Sequence, residues 1–163
     1  MARVEHPVTL AIRLLREREV AFVPHLYRYS GGGARGSAEA LGIELMRIAK
    51  TLIFETSAPE GLACVIMAGP FEVATGVLAR TIGCKSVAPC SEKRAEALTG
   101  YHVGGISPFG QRTAMPIYMQ IDLFEFETVL VNGGQRGFLI ELAPAAIERT
   151  LGAALVDVAT RRA

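Results

Sequence analysis

The sequence predicts a mixed α+β domain whose mainly antiparallel sheet curls toward a barrel, with helices around it. Three observations point there. Short apolar runs of strand length recur along the chain, amphipathic stretches at helical spacing stand between them, and the two kinds alternate without a strict βαβ period or an internal repeat. The 163 residues suffice to bury a sizeable core and are too few for two ordinary domains, so residues 1–163 read as a single domain.

Leu10, Ala11, Leu14 and Leu15 recur at helical spacing after Pro7, and the pattern dissolves near Glu19, which predicts a first helix with the proline near its start. Val20 to Tyr29 reads as a strand. Ser30-Gly31-Gly32-Gly33 breaks the chain as a loop near one edge of the fold, too short for a linker, and Ser37 to about Arg47 reads as helix. Ile48 to Glu55 and Leu62 to Met67 are apolar runs separated by a turn with Pro59 and Gly61, the pattern of an antiparallel hairpin. Val73 to Ile82 and Ser91 to Leu98 are helical by pattern; Ser91 is placed to cap the second, Gly100 to end it, and Ser86 to Ala88 is a short strand between them. Pro116 to Ile121, Thr128 to Asn132 and Phe138 to Leu142 are extended segments. Pro144 to Leu151 reads as a helix opened by proline and closed by Gly152.

Composition narrows the function classes. Half of the residues are apolar and no apolar run nears the roughly 20 residues that span a bilayer, so a soluble chain without a membrane partner is expected. Arg3, Glu5, Arg13 and Arg16 interrupt the N-terminal apolar positions, which disfavours a secretory signal and predicts a cytoplasmic location. Cys64, Cys84 and Cys90 form an odd set without CxxC spacing, and histidine occurs only at His6, His25 and His102; neither a disulfide scaffold nor a metal site is expected. A net charge of +1 does not announce nucleic-acid binding, and Arg80 with Lys85, Lys93-Arg94 and Arg161-Arg162 are small basic groups among acidic residues. Any RNA contact is therefore local, and no DNA partner is expected.

Four segments carry chemical possibilities. Gly100 to Gln111, GYHVGGISPFGQ, holds four glycines that let backbone amides approach a carbonyl or a phosphate, or else make an ordinary turn between strands; Ser107-Pro108 fixes the direction in which the chain leaves. Lys50 interrupts the apolar run Ile48 to Phe54, so its ammonium meets either solvent at a strand end or an anion in a pocket. Asn132-Gly133-Gly134-Gln135-Arg136-Gly137 is a hairpin signal whose Arg136 reaches a phosphate if the turn borders a cleft. Tyr27 and Tyr29 alternate on one strand face, as core packing or as a pocket wall. No catalytic triad is readable: Ser107 lacks a G-x-S-x-G context, and Glu125 and Glu127 alternate with Phe124 and Phe126 as an exposed edge does. An enzyme built on this chain relies on positioning and backbone donors.

HLYRYS, IAKTL, VLARTIG, GYHVGGISPFGQ and NGGQRG stand in the order and at the separations of the YbaK/prolyl-tRNA synthetase-associated editing domain family, which the chain resembles over most of Arg13 to Leu155. The resemblance implies a hydrolase that removes the wrong amino acid from mischarged tRNA(Pro), cysteinyl-tRNA(Pro) for the YbaK-type branch, with the substrate thiol attacking its own ester and no cofactor. It implies Lys50 as the essential lysine at the acceptor end and Tyr27 as the pocket tyrosine. Gly104 and Gly105 are implied as amide donors to the aminoacyl carbonyl, Ile106 and Ser107 as shaping the pocket, and Asn132, Gly133, Gly134 and Arg136 as the opposite wall. The implied partners are aminoacyl-tRNA(Pro) and prolyl-tRNA synthetase. Leu139 stands where YbaK-type members carry an acidic residue, and Gly76 where lysine is frequent. Related branches remove alanine, serine or threonine, so those charged tRNAs are the alternative substrates. A non-catalytic module that binds a nucleotide or the tRNA acceptor end is the alternative of another class.

Overall fold

The computed structural model describes residues 4–160, so Arg3, Arg161 and Arg162 lie outside the described residues. Helix α1, Leu10–Glu17, is capped by Thr9, whose Oγ1 accepts the Ile12 N–H at 3.2 Å, and it buries Ala11, Ile12 and Leu15; Pro7 lies before the cap. Strand β1 is confined to Val23–Leu26. Helix α2, Gly33–Leu41, begins four residues before the expected Ser37 and stops at Gly42, which takes φ 65° as a left-handed C-cap. Only a 3-10 turn, Leu45–Arg47, remains of the expected continuation.

Strands β2, Ala49–Thr56, and β3, Leu62–Ala68, form the expected antiparallel hairpin, with Lys50 opposite Met67. After β4, Glu72–Val73, come helix α3, Thr75–Ile82, strand β5, Val87–Pro89, and helix α4, Glu92–Thr99. Ser91 caps α4 by accepting the Arg94 N–H at 3.2 Å, and Gly100 ends it with φ 82°. Strand β6, Ile117–Gln120, a 3-10 turn Ile121–Glu125, strands β7, Val129–Gln135, and β8, Phe138–Leu142, helix α5, Pro144–Leu151, and strands β9, Ala154–Val156, and β10, Ala159–Thr160, complete the described chain.

The hairpin of β7 and β8 departs from expectation. Asn132-Gly133 is not its turn: β7 runs on to Gln135 through a bulge, and the chain reverses at Arg136-Gly137, where Gly137 takes φ 81°. Asn132 Oδ1 accepts the N–H groups of Gly134 and Gln135, at 2.7 and 3.2 Å, which holds the bulge. Gly133 serves close approach, since a Cβ there would stand 2.5 Å from the Phe138 ring.

Five strands form a mixed sheet in the order β5-β2-β3-β6-β9, parallel at β3–β6 and β6–β9; β1-β8-β7 and β10-β4 are antiparallel. The fold is thus mixed α+β and mainly antiparallel as predicted, and the strands stop short of a closed barrel. Ile66, Met119, Phe138 and Ile140 belong to the main core. Phe54, Val65, Met67 and Leu78 pack a second cluster that includes α3.

The outer edge of β2 positions the site. Strand β7 meets it through the single bridge Ile48–Leu130, and β5 pairs with it from Phe54 to Thr56. Between those attachments no strand among the described residues is laddered to that edge, and the Cys90 N–H bonds the Ile53 carbonyl at 3.0 Å where the gap ends. By strand alternation Lys50, Leu52 and Phe54 share one face and Ala49, Thr51 and Ile53 the other.

Candidate active site

A cleft of about 570 Å³ opens at this split in the sheet. Tyr27, Lys50, Gly104, Ile106 and Asn132 line it, so five of the residues singled out in the sequence meet around one space. Gly105, Ser107, Gly133, Gly134 and Arg136 are not among its lining residues and stand behind the wall.

Lys50 is half-buried, and its Nζ donates to the Phe71 carbonyl. Burial lowers its pKa from the ordinary lysine value; Glu72 opposes that shift and Arg35 adds to it. Tyr27 pairs its hydroxyl with Ser37 Oγ at 3.0 Å, tying the segment just after β1 to α2.

The signature loop is held from both sides. Glu96 Oε2 accepts the Val103 N–H at 2.8 Å, and the Tyr101 hydroxyl donates to the Phe109 carbonyl at 2.6 Å. Asn132 Nδ2 donates to the Gly104 carbonyl at 3.0 Å, and Arg136 Nε donates to the Val103 carbonyl at 2.8 Å. Both glycines are required by contact. A Cβ on Gly104, at φ 91°, would lie 2.6 Å from the Tyr29 hydroxyl, and one on Gly105 would lie 2.9 Å from the Arg136 amide nitrogen. The Gly105 N–H already donates to the His102 carbonyl at 2.8 Å. The N–H groups of Gly104 and Ile106 have no acceptor among the described residues, and both residues line the cleft. Ser107 is fully buried, its Oγ accepting the Phe109 N–H at 3.2 Å. A Cβ on Gly134 would collide with Tyr101 and Thr9, so this glycine lets the second loop pack beneath the first. Arg136 lies over the Tyr29 ring, 5.4 Å from its centroid.

The cleft also recruits Tyr29, Thr51, Glu72, Cys90 and Leu139. Tyr29 was signalled by its alternation with Tyr27. Glu72 carried no sequence signal, because only the β4–β10 pairing, Glu72 opposite Thr160, brings it to the wall. Neither cysteine near the site is an activated nucleophile: burial pushes the Cys64 thiol up to about 12, and burial, then Glu55, raises that of Cys90. His6, His25 and His102 are absent from the cleft lining, and no group of three metal-ligating side chains occurs among the described residues. What the described lining offers chemically is one ammonium, the carboxylates of Glu72 and Glu92, loop residues whose amides have no acceptor, and apolar walls, which suits positioning a polar ester.

The family model described as the aminoacyl-tRNA editing domain matches residues 33–150. The chain is 32% identical over 155 residues to EbsC of Enterococcus faecalis, provisionally named a Cys-tRNA(Pro)/Cys-tRNA(Cys) deacylase, covering 94% of each protein. It is 30% identical over 118 residues to the uncharacterized protein YwhH of Bacillus subtilis, covering 72% of this chain and 74% of that one. Among solved structures, one described provisionally as a trans-editing enzyme for prolyl tRNA synthetase superposes with a TM-score of 0.84 at 24% identity, over 93% of this chain and 95% of that one. That likeness is one of fold.

Proposed function

The chain belongs to the aminoacyl-tRNA editing domain family, and from that premise we propose that it is a trans-editing hydrolase that deacylates mischarged tRNA(Pro), cysteinyl-tRNA(Pro) in particular. The observation that carries the reading is the meeting of Lys50 with the Gly104–Ile106 wall in one cleft, without an activated protein nucleophile beside them.

In this reading Lys50 engages the phosphate or sugar of the acceptor end and sets the ester against the loop. The amides of Gly104 and Ile106 donate to the carbonyl oxygen as negative charge develops there. The substrate's own sulfur attacks the carbonyl carbon, the carbon–oxygen bond to the ribose breaks, the thiol proton ends on the ribose oxygen, and water opens the resulting thiolactone. Tyr27 and Asn132 hold the walls. Gly105, Ser107, Gly133, Gly134 and Arg136 act one layer back, by fixing the loops.

The test charges tRNA(Pro) separately with cysteine, alanine, serine, threonine and proline and follows release by the wild-type protein and by Lys50→Ala. Rapid release of cysteine, lost by at least a hundredfold in the variant with an unchanged thermal midpoint, is expected. Binding of tRNA without accelerated release from any of the five would replace the hydrolase by a binding module, and faster release of alanine, serine or threonine would replace the amino acid.

A further inference from the structure

The cleft carries charge of both signs at one place. Among the described residues, Lys50, Glu72 and Glu92 are its only formally charged lining residues. Glu92 stands in the first turn of α4 and lines the cleft together with Cys90, just before that helix, and Ala95 within it. Glu72 follows Phe71, whose carbonyl accepts from Lys50 Nζ, and its exposed side chain borders the same cleft, where its negative charge acts on the Lys50 ammonium. Strand pairing fixes it there: Glu72 lies opposite Thr160 and Val73 opposite Ala159. The surrounding lining is apolar, with Leu52, Ile53, Phe54, Val73, Ile106 and Leu139.

An aminoacyl ester brings a matching pair of charges. Its ribose is joined to a phosphate, and its amino acid carries an α-amino group, a type of group that titrates near neutral pH and is there protonated in a substantial fraction of molecules. An ammonium entering an apolar cleft without a counter-charge loses hydration uncompensated. Next to Lys50 it would also meet a like charge. A carboxylate has two oxygens and about four acceptor positions, room enough to receive the ammonium whatever else it contacts.

We propose that Glu72 receives the α-ammonium group of the aminoacyl ester and thereby selects a free amino acid over an N-blocked one. The inference rests on the deacylase reading above. Lys50 faces the anionic end of the same substrate, and the two charges fix the direction in which the ester lies along the β2 edge. N-acylated or peptidyl esters, which lack the ammonium, forgo this contact.

The experiment compares cysteinyl-tRNA(Pro) with N-acetylcysteinyl-tRNA(Pro), each rate divided by its enzyme-free rate, for the wild type and Glu72→Gln. The wild type is expected to favour the free amine about tenfold, and the variant to lose three- to tenfold on that substrate alone, the scale of a hydrogen bond to a charged group at a partly exposed site. Equal losses on both substrates would mean that Glu72 acts through Lys50 and would overturn the proposal, as would no loss on either. A second measurement needs no variant: the wild-type ratio of free-amine to N-acetyl rates should fall as pH rises through the α-amino pKa, and a flat ratio counts against it. If the wild type releases neither amino acid, the deacylase reading fails first, and that result is distinct from a wild type that releases both equally.

Discussion

Lys50 is the residue whose chemistry depends most on its surroundings. Burial favours its neutral form, Arg35 adds to that tendency and Glu72 resists it, with burial the largest influence. The lowered pKa has a defined sign. In the folded state the charged form is disfavoured, so a stability cost is present at neutral pH and is relieved as pH rises from the lowered value toward the ordinary 10.5. If the ammonium is what grips the substrate, kcat/KM falls as pH rises through the lowered value, earlier than an exposed lysine would dictate. Lys50→Arg keeps a charge that does not titrate in this range. Its rate is expected to drop because the planar guanidinium does not reproduce the Phe71 contact, and its pH profile to lose the alkaline limb once intrinsic ester hydrolysis is subtracted, measured on N-acetylcysteinyl-tRNA(Pro), which has no α-amino group to titrate. An unchanged limb in this variant would assign it to another group.

At the scale of elements, two glycine-bearing loops that are 28 residues apart at the Asn132–Gly104 bond lock to each other and make one wall of the cleft. Arg136 is central to that lock, since its Nε donates to the Val103 carbonyl while its guanidinium covers Tyr29. Arg136→Ala is expected to move the thermal midpoint by no more than about 2 °C, because the side chain is exposed and such surface changes are worth roughly 0.5 kcal/mol. It is expected to lower kcat severalfold, because the Gly104 and Ile106 amides lose their aim; full activity would leave the loop held without it. Sequence made this wall legible in part. Ser91 and Gly100 around α4, Pro144 and Gly152 around α5, and the β2–β3 hairpin carry their structural reasons locally, in caps and alternation. Strands β4, β9 and β10 do not, being three residues or fewer and formed only when distant chain pairs with them. The same non-locality hid the parallel pairings of β6 and the arrival of Glu72 in the cleft. Gly33 misled because three successive positive-φ glycines look like a loop, yet the third opens α2.

For the molecule as a whole, the question is how a near-neutral protein holds tRNA. Its net charge is +1, and among the described residues Lys50 is the one cation lining the cleft. Each phosphate neutralised on a single strand contributes about 0.7 to the slope of log affinity against log salt. A chain that meets the acceptor end through this cleft alone should therefore show a slope of magnitude about 1 and a weak KM. Most of the affinity then has to come from a surface elsewhere, and prolyl-tRNA synthetase, which already grips tRNA(Pro), is the partner we expect to supply it. Joining two weak contacts on one tRNA raises the effective concentration of each without any new contact in the cleft. Adding stoichiometric prolyl-tRNA synthetase should lower KM for cysteinyl-tRNA(Pro) by tenfold or more and leave kcat within about twofold. A synthetase for another amino acid should leave both KM and kcat unchanged. A slope of magnitude 4 or more for the chain alone, with KM indifferent to the synthetase, would instead mean that a broad basic surface of this protein holds the tRNA directly.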